Sequence, residues 1–188
     1  PAAMCTTVND VVVHGIPNEH PYVLTEGDII GIDLSIRYEG MIVDSARTML
    51  VGVVSPEAQK LVNITKEALM IGIKAAKTGG HIGDIGHAIE TFVRPYGYGI
   101  IEELCGHGVG YAVHEEPMVP NVGKAGTGAE LEAGMVLAIE PMLTLGNKDV
   151  VFDKKDGYTV RTKDGSISAH FEHTIVITKN GPEILTVS

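Results

Sequence analysis

The chain contains a diverged copy of itself, and this confines it to folds built from two related halves. Cys5-Thr-Thr-Val-Asn-Asp-Val-Val-Val-His14-Gly-Ile-Pro17 matches Cys105-Gly-His-Gly-Val-Gly-Tyr-Ala-Val-His114-Glu-Glu-Pro117. In both, Val-His ends nine positions after the cysteine and x-x-Pro comes next. Further on, Leu24-Thr-Glu-Gly27-Asp-Ile-Ile-Gly-Ile-Asp33 matches Leu131-Glu-Ala-Gly134-Met-Val-Leu-Ala-Ile-Glu140, with the acid six positions after the glycine each time. A returning strand carrying another acid, Asp44 or Glu172, follows in each half. The second copy is preceded by two helical segments at about 55–94, the first by none. A complete duplication places a helical pair before residue 1, so the chain reads as lacking an N-terminal helical segment.

Local patterning fills in the halves. Residues 9–13 read as a strand running into the turn at His14-Gly-Ile-Pro17. Residues 28–36 are β-branched and mostly apolar, as in a buried strand, and Glu39-Gly40 turns the chain back into a strand at 41–51. Ser55-Pro56-Glu57 opens a helix, since serine can cap it and proline fits its first position. Leu61, Ile64, Leu69 and Ile73 keep helical spacing to about Ala76, and Gly79-Gly80 ends it. A second helix spans about 83–93, with Ile85, Ala88, Ile89 and Phe92 on one face. Strands are expected again at 109–113 and 134–141, with a Gly-rich loop at 121–128. A hairpin over 150–163 turns at Asp156-Gly157, and a last one pairs 168–178 with 183–187 through Asn180-Gly181. The fold class is α+β, with an antiparallel sheet and helices outside it.

The 188 residues suffice for one domain, 1–188, that buries roughly 70% of its extended surface. A net charge of −10 argues against a nucleic-acid surface, which needs a basic stripe. There is no polybasic run for a membrane surface, and no apolar stretch approaches the roughly 20 residues of a membrane span. Two cysteines, Cys5 and Cys105, are too few for a disulfide scaffold and fit reduced thiols of a cytoplasmic protein.

The chemistry lies in acids placed where acids are costly. Asp33 sits in IIGIDLSI, Asp44 in MIVDSA, Glu140 in VLAIEPM and Glu172 in SAHFEHTIVI. Any one of them could be salt-bridged or at a sheet edge. Only Arg37 and Arg47 flank the first hairpin, however, too few cations to neutralise all four. Binding a divalent cation is the common explanation. Asp33 and Asp44 can share a face across their hairpin, because side chains alternate with period two; Glu140 and Glu172 would do the same in the second half. His107, between Gly106 and Gly108, adds an imidazole, the glycines letting the backbone come close. Oxygen ligands plus one histidine suit Mn, Fe, Co or Zn. Two such ions about 3.5–4 Å apart can share a hydroxide and clamp a scissile carbonyl.

His14 and His114 occupy equivalent places in the repeat and are expected at the site. His20, His81 and His87 have no such support and read as surface or helix residues. His170 should share the face of Glu172, while His173 points away, and Ser35 can hydrogen-bond a ligand carboxylate. Cys5 and Cys105 read as apolar wall. No nucleophile elbow is present, and the 121–128 loop lacks the Lys-Ser/Thr ending of a phosphate loop.

These motifs resemble the type I methionine aminopeptidases, which share the pita-bread fold with prolidase and aminopeptidase P. The resemblance is carried by Asn9-Asp10-Val-Val-Val-His14-Gly-Ile-Pro17, Asp33-x-Ser35, Asp44-Ser45, Cys105-Gly-His107-Gly-Val-Gly110, His114-Glu-Glu-Pro117, Ile139-Glu140-Pro141-Met142 and Phe171-Glu172-His173-Thr174. It implies two divalent metal ions held by Asp33, Asp44, His107, Glu140 and Glu172. It also implies removal of the initiator methionine from nascent chains whose second residue is small. A metal-bridging hydroxide would attack the scissile carbonyl. Glu140 would shuttle the proton, His114 would stabilise the oxyanion, and His14 would contact the substrate amide. Cys5, Val113 and Tyr158 would line the methionine pocket; Tyr158 stands where relatives often have Trp, and Val113 where an aromatic is common. The partners implied are nascent N-termini near the ribosome, with a monomeric enzyme and no membrane or nucleic-acid site. An X-Pro peptidase of the same fold and a non-catalytic binding domain are the competing readings. The Cys-Gly-His-Gly and Glu-Pro-Met contexts favour the methionine reading, and the intact ligand set disfavours the binding domain.

Overall fold

The computed structural model describes residues 2–19 and 21–187, so the reading of His20 falls outside the described residues. The first half comprises β1 (Cys5–Val8), β2 (Val11–Val13), β3 (Ile29–Tyr38) and β4 (Met41–Leu50). Two helices follow, α1 (Pro56–Ala75) and α2 (Ile82–Val93). The second half opens with β5 (Gly99–Ile100), β6 (Gly106–Gly108), β7 (Glu115–Val119), β8 (Val136–Ile139) and β9 (Met142–Thr144). It ends with β10 (Val150–Phe152), β11 (Val160–Thr162), β12 (Ser168–Thr178) and β13 (Gly181–Ile184).

The repeat becomes a symmetry of the sheet. Its order runs β1-β3-β4-β12-β8-β6-β7. The first copy supplies β1, β3 and β4; the second supplies β6, β8 and β12 in the mirrored order. The halves meet where β4 and β12 pair antiparallel, Glu172 opposite Ala46. A small second sheet, β10-β11-β2, stands beside it.

The helices cover one face of this sheet. Ser55 caps α1, its Oγ accepting from the Ala58 N–H at 3.1 Å. Leu61, Ile64, Leu69 and Ile73 of α1 and Ile85 and Ile89 of α2 bury against Leu137, Ile139, Ile175 and Ile177 of β8 and β12. Full burial of each such side chain stabilises by roughly 1.5–3 kcal/mol, so this layer fixes the strands that carry the acids on their other face. Among the described residues no helix is long and apolar enough to cross a membrane.

Three strand expectations need correction. Residues 9–13 are not one strand: Asn9 turns at φ 53°, its amide donating to Asp28 Oδ1 at 2.8 Å and accepting from the Ile29 N–H at 3.1 Å. That side-chain anchor stops β1 at Val8 and restarts the chain as β2. Residues 109–113 are not a strand either; strands lie on both sides of them, in β6 and β7. A Cβ at Gly106 would lie 2.3 Å from the Ala138 carbonyl oxygen, and one at Gly108 2.3 Å from that of Glu116. The Gly-His-Gly run is therefore the strand, made of residues that ordinarily signal a turn. Finally, β13 begins at Gly181, directly opposite Thr178, so the last turn is tighter than expected.

Candidate metal centre

Strand register alone brings the five expected ligands to one face. Asp33 is opposite Ala46 and Asp44 opposite Ser35, so both acids point the same way. Glu172 is also opposite Ala46 and joins them. Ile139 is opposite His173, so Glu140, next after Ile139, alternates to the face of Glu172. His107 is opposite Ala138, two residues before Glu140 and on its side. Arg47 alternates with Ala46 and faces away, and Arg37 is exposed at the hairpin end. Neither cation can neutralise the cluster.

The side chains then converge. Ligand-capable atoms of Asp44, His107 and Glu172 lie within 4.8 Å of one another. His107 Nε2 is 3.5 Å from Glu140 Oε1. All four residues and Asp33 line one cavity of about 130 Å³. His107 Nδ1 is 2.9 Å from the Gly108 carbonyl oxygen. A carbonyl only accepts, so the proton sits on Nδ1 and the Nε2 lone pair faces the acids, as a ligand requires. Ser35 Oγ donates to Asp44 Oδ2 at 3.1 Å, and the Ser45 N–H to Oδ1 at 3.0 Å. The expected role of Ser35 as a support of this carboxylate is thus realised.

The electrostatics are those of an unneutralised carboxylate nest. Burial pushes the Asp33 carboxyl up to about 6, with Asp44 and Glu140 adding to it and His170 opposing. Burial also pushes Glu172 well up, reinforced by Glu140, Asp44 and Asp33. Four acids that repel one another in one largely buried pocket, with an imidazole nitrogen turned toward them, fit a divalent cation. The donor set, oxygens plus one nitrogen, is the one that Mn, Fe, Co and Zn accept.

His14 and His114 enter the same cavity. The His114 ring meets His107 edge-on, centroids 4.4 Å apart at 79°. His14 sits at φ 62°, stacks on Tyr158 at 4.7 Å and 19°, and has its carbonyl oxygen 3.3 Å from the Thr159 hydroxyl. Gly15 follows it because a Cβ there would lie 2.1 Å from the Thr6 carbonyl oxygen. Burial lowers the His14 imidazole, so the ring is neutral at pH 7. Cys5, Val113 and Tyr158 line an adjoining hollow of about 420 Å³ that shares Asp33, Asp44, His14 and His114 with the acid cavity. Both cysteines are free thiols. Burial raises each, helped by Asp33 and Asp44 at Cys5 and by Glu140 at Cys105. His173 lies on the opposite side of β12 and pairs with Thr186 Oγ1 at 2.8 Å, while His87 is exposed on α2 and His81 is the residue capping it. A larger hollow of about 660 Å³ lies around Asn9, Ile16 and Arg161; none of Asp33, Asp44, Glu140 and Glu172 lines it.

Two contributors are given no role by the sequence, although His170 is expected on the face of Glu172. His170, 3% exposed, turns Nε2 toward Glu140 Oε2 at 3.4 Å. Burial opposes its charge, yet Glu140, then Asp33 and Asp44, outweigh burial and raise it. Asn121, from the Gly-rich loop, donates to the Glu140 carbonyl at 3.1 Å. Alternation from Glu172 places His170 on the right face; nothing local marks Asn121.

The model of metallopeptidase family M24 matches residues 1–179. Methionine aminopeptidase of Aquifex aeolicus is 51% identical over 99% of this chain and 72% of its own length. That of Clostridium acetobutylicum is 47% identical over 100% and 74%. The chain belongs to metallopeptidase family M24. The crystal structure of methionine aminopeptidase from Thermotoga maritima superposes with a TM-score of 0.94 at 46% identity, covering 98% of this chain and 74% of that one. Prolidase from Pyrococcus horikoshii OT3 gives 0.77 at 26%, covering 100% and 48%. The pita-bread fold shared by these M24 peptidases is therefore the fold of this chain, and M24 membership implies divalent metal ions.

Proposed function

We propose that this M24 peptidase is a methionine aminopeptidase, cleaving the initiator methionine from nascent chains whose second residue is small. The observation that carries the reading is the convergence of Asp33, Asp44, His107, Glu140 and Glu172 on one sheet face beside His14 and His114, in a chain 41–51% identical to bacterial methionine aminopeptidases. Residues 1–188 fall within a single catalytic domain.

Those five side chains would hold two divalent ions, Co, Mn, Fe or Zn. When bound, the ions activate a water as nucleophile and polarise the scissile carbonyl. The protein supplies the rest. Glu140 takes the proton from the attacking water and delivers it to the departing amine. His114 donates to the carbonyl oxygen as it gains charge. His14, neutral because it is buried, hydrogen-bonds the amide at the scissile bond. Cys5, Val113 and Tyr158 enclose the methionine side chain, three uncharged side chains with one aromatic ring among them. The enzyme acts as a monomer in the cytoplasm, on N-termini emerging near the ribosome.

Cleavage of Met-Gly-Met against an X-Pro dipeptide, with Mn²⁺ or Co²⁺ added, tests this. Release of methionine from the tripeptide supports it. Cleavage of the X-Pro substrate alone would replace it with a prolidase-like activity, against the lower structural likeness to prolidase.

A further inference from the structure

His170 has no part in the roles assigned so far. It precedes Glu172 by two residues in β12, shares its face, and is 3% exposed. Its Nε2 makes no hydrogen bond among the described residues. Leaving such a buried group unpaired costs about 1–3 kcal/mol. Its position is not slack: the Thr48 hydroxyl accepts from the His170 N–H at 2.9 Å and donates to the His170 carbonyl at 2.8 Å. The ring is thereby aimed at Glu140 Oε2, 3.4 Å away, slightly beyond the usual hydrogen-bond range. On the other side of the same carboxylate, His107 Nε2 is 3.5 Å from Oε1. Glu140 thus stands between two imidazoles, one per oxygen.

We propose that His170 is a positioning residue for Glu140. Its Nε2–H donates to Oε2 and fixes the carboxylate plane, so that Oε1 is presented to the cavity beside His107. The two oxygens then differ: one is tied to the protein wall, the other faces the ions and the substrate. This rests on the reading of Glu140 as metal ligand and proton carrier.

The test uses the full chain carrying H170L, which keeps bulk and removes the donor, and H170Q, which restores an N–H. Mn²⁺ affinity is measured by calorimetry without substrate, and Met-Gly-Met cleavage is measured separately. H170L should bind Mn²⁺ about 10–100-fold more weakly and lose kcat by a similar factor, with KM changed by no more than about twofold. H170Q should recover both to within about threefold of wild type. A carboxamide is a poor ligand but a good donor, so its rescue separates positioning from direct ligation. The proposal is overturned by wild-type Mn²⁺ affinity in H170L, or by H170Q failing as fully as H170L while both melt like wild type. If H170L does not fold, H170N takes its place, one methylene too short to reach and expected to fail where H170Q succeeds. A wild-type chain that binds Mn²⁺ but releases no methionine would sink the functional reading alone, since the affinity series still decides the role of His170.

Discussion

Thr174 closes a two-bond clip on Asp44: its hydroxyl accepts the Asp44 N–H at 2.8 Å and donates to the Asp44 carbonyl at 2.7 Å. Thr48 does the same to His170 from the other strand. Between the clips, β4 and β12 pair only from Phe171–Arg47 to His173–Ser45. The two halves of the molecule are therefore joined at the centre by backbone bonds and at both ends by threonine hydroxyls, and the clips hold Asp44 of the acid pocket and His170 beside Glu140. Thr174 is fully buried, so T174V would orphan both Asp44 backbone groups at about 1–3 kcal/mol each. Urea unfolding should show a loss of about 2–4 kcal/mol, with T174S close to wild type. Equal stability of T174V and wild type would remove the clip from the account.

Metal should hold the acid pocket together as well as supply its chemistry. Chelation should lower the melting temperature and abolish methionine release, and added Mn²⁺ or Co²⁺ should restore both. An ion at 100 times its dissociation constant stabilises by about 2.7 kcal/mol. E172A should lose most of that gain and cut kcat by about a thousandfold or more. A melting temperature indifferent to chelator and metal, in a protein that remains active, would contradict the ligand assignment.

The pH dependence of the metal-free protein has a definite sign. Asp33 ionises near 6 in the folded state, against 3.8 ordinarily. Between those values the native state holds a proton that the unfolded chain has lost. Its stabilising contribution is full below about pH 4 and disappears as pH rises through about 6, a change of about 3 kcal/mol. Glu172 shifts in the same direction. Asp164, held down at about 2 by Ser166 and the Asn147 N–H, acts oppositely and only at lower pH. Urea midpoints in chelator from pH 4 to 7 should fall for wild type relative to D33N. A difference that grows with pH in favour of wild type would refute it.

Much of this was legible from residues alone, for a physical reason. Asp33, Asp44, Glu140 and Glu172 interrupt apolar strands, where a lone carboxylate is expensive, and strand alternation is rigid enough to convert spacing into a shared face. The mirrored sheet follows from the Cys-to-Pro and Gly-to-acid repeats. The Gly106-His107-Gly108 strand was misplaced because glycine serves two ends: it usually frees the backbone, and here it admits the carbonyls of Ala138 and Glu116. Asn9 broke its strand through a contact with Asp28 and Ile29, 19 and 20 residues away. Asn121 reaches Glu140 from a loop whose sequence reads only as flexible. Local pattern carries the sheet; the errors lie where a distant partner decides.

Tyr158 gives a prediction that joins packing to chemistry. Its ring lies against His14, and the Thr159 hydroxyl beside it, whose single proton goes to Asp156 Oδ2 at 2.6 Å, packs 3.3 Å from the His14 carbonyl oxygen. The loop thus secures a histidine in the left-handed conformation, where a non-glycine residue needs support. Losing the stack removes about 0.5–1.5 kcal/mol of contact, so Y158A should reduce kcat/KM by roughly 2–10-fold, while Y158F should be nearly silent. It should also let water reach His14. Burial is what lowers that imidazole, so its pKa must rise toward the ordinary value, and the acid limb of kcat/KM must move to higher pH in Y158A. NMR titration of the His14 ring checks the same shift without substrate. A pH profile that stays in place while activity falls would make Tyr158 part of the pocket wall only, with no hold on His14.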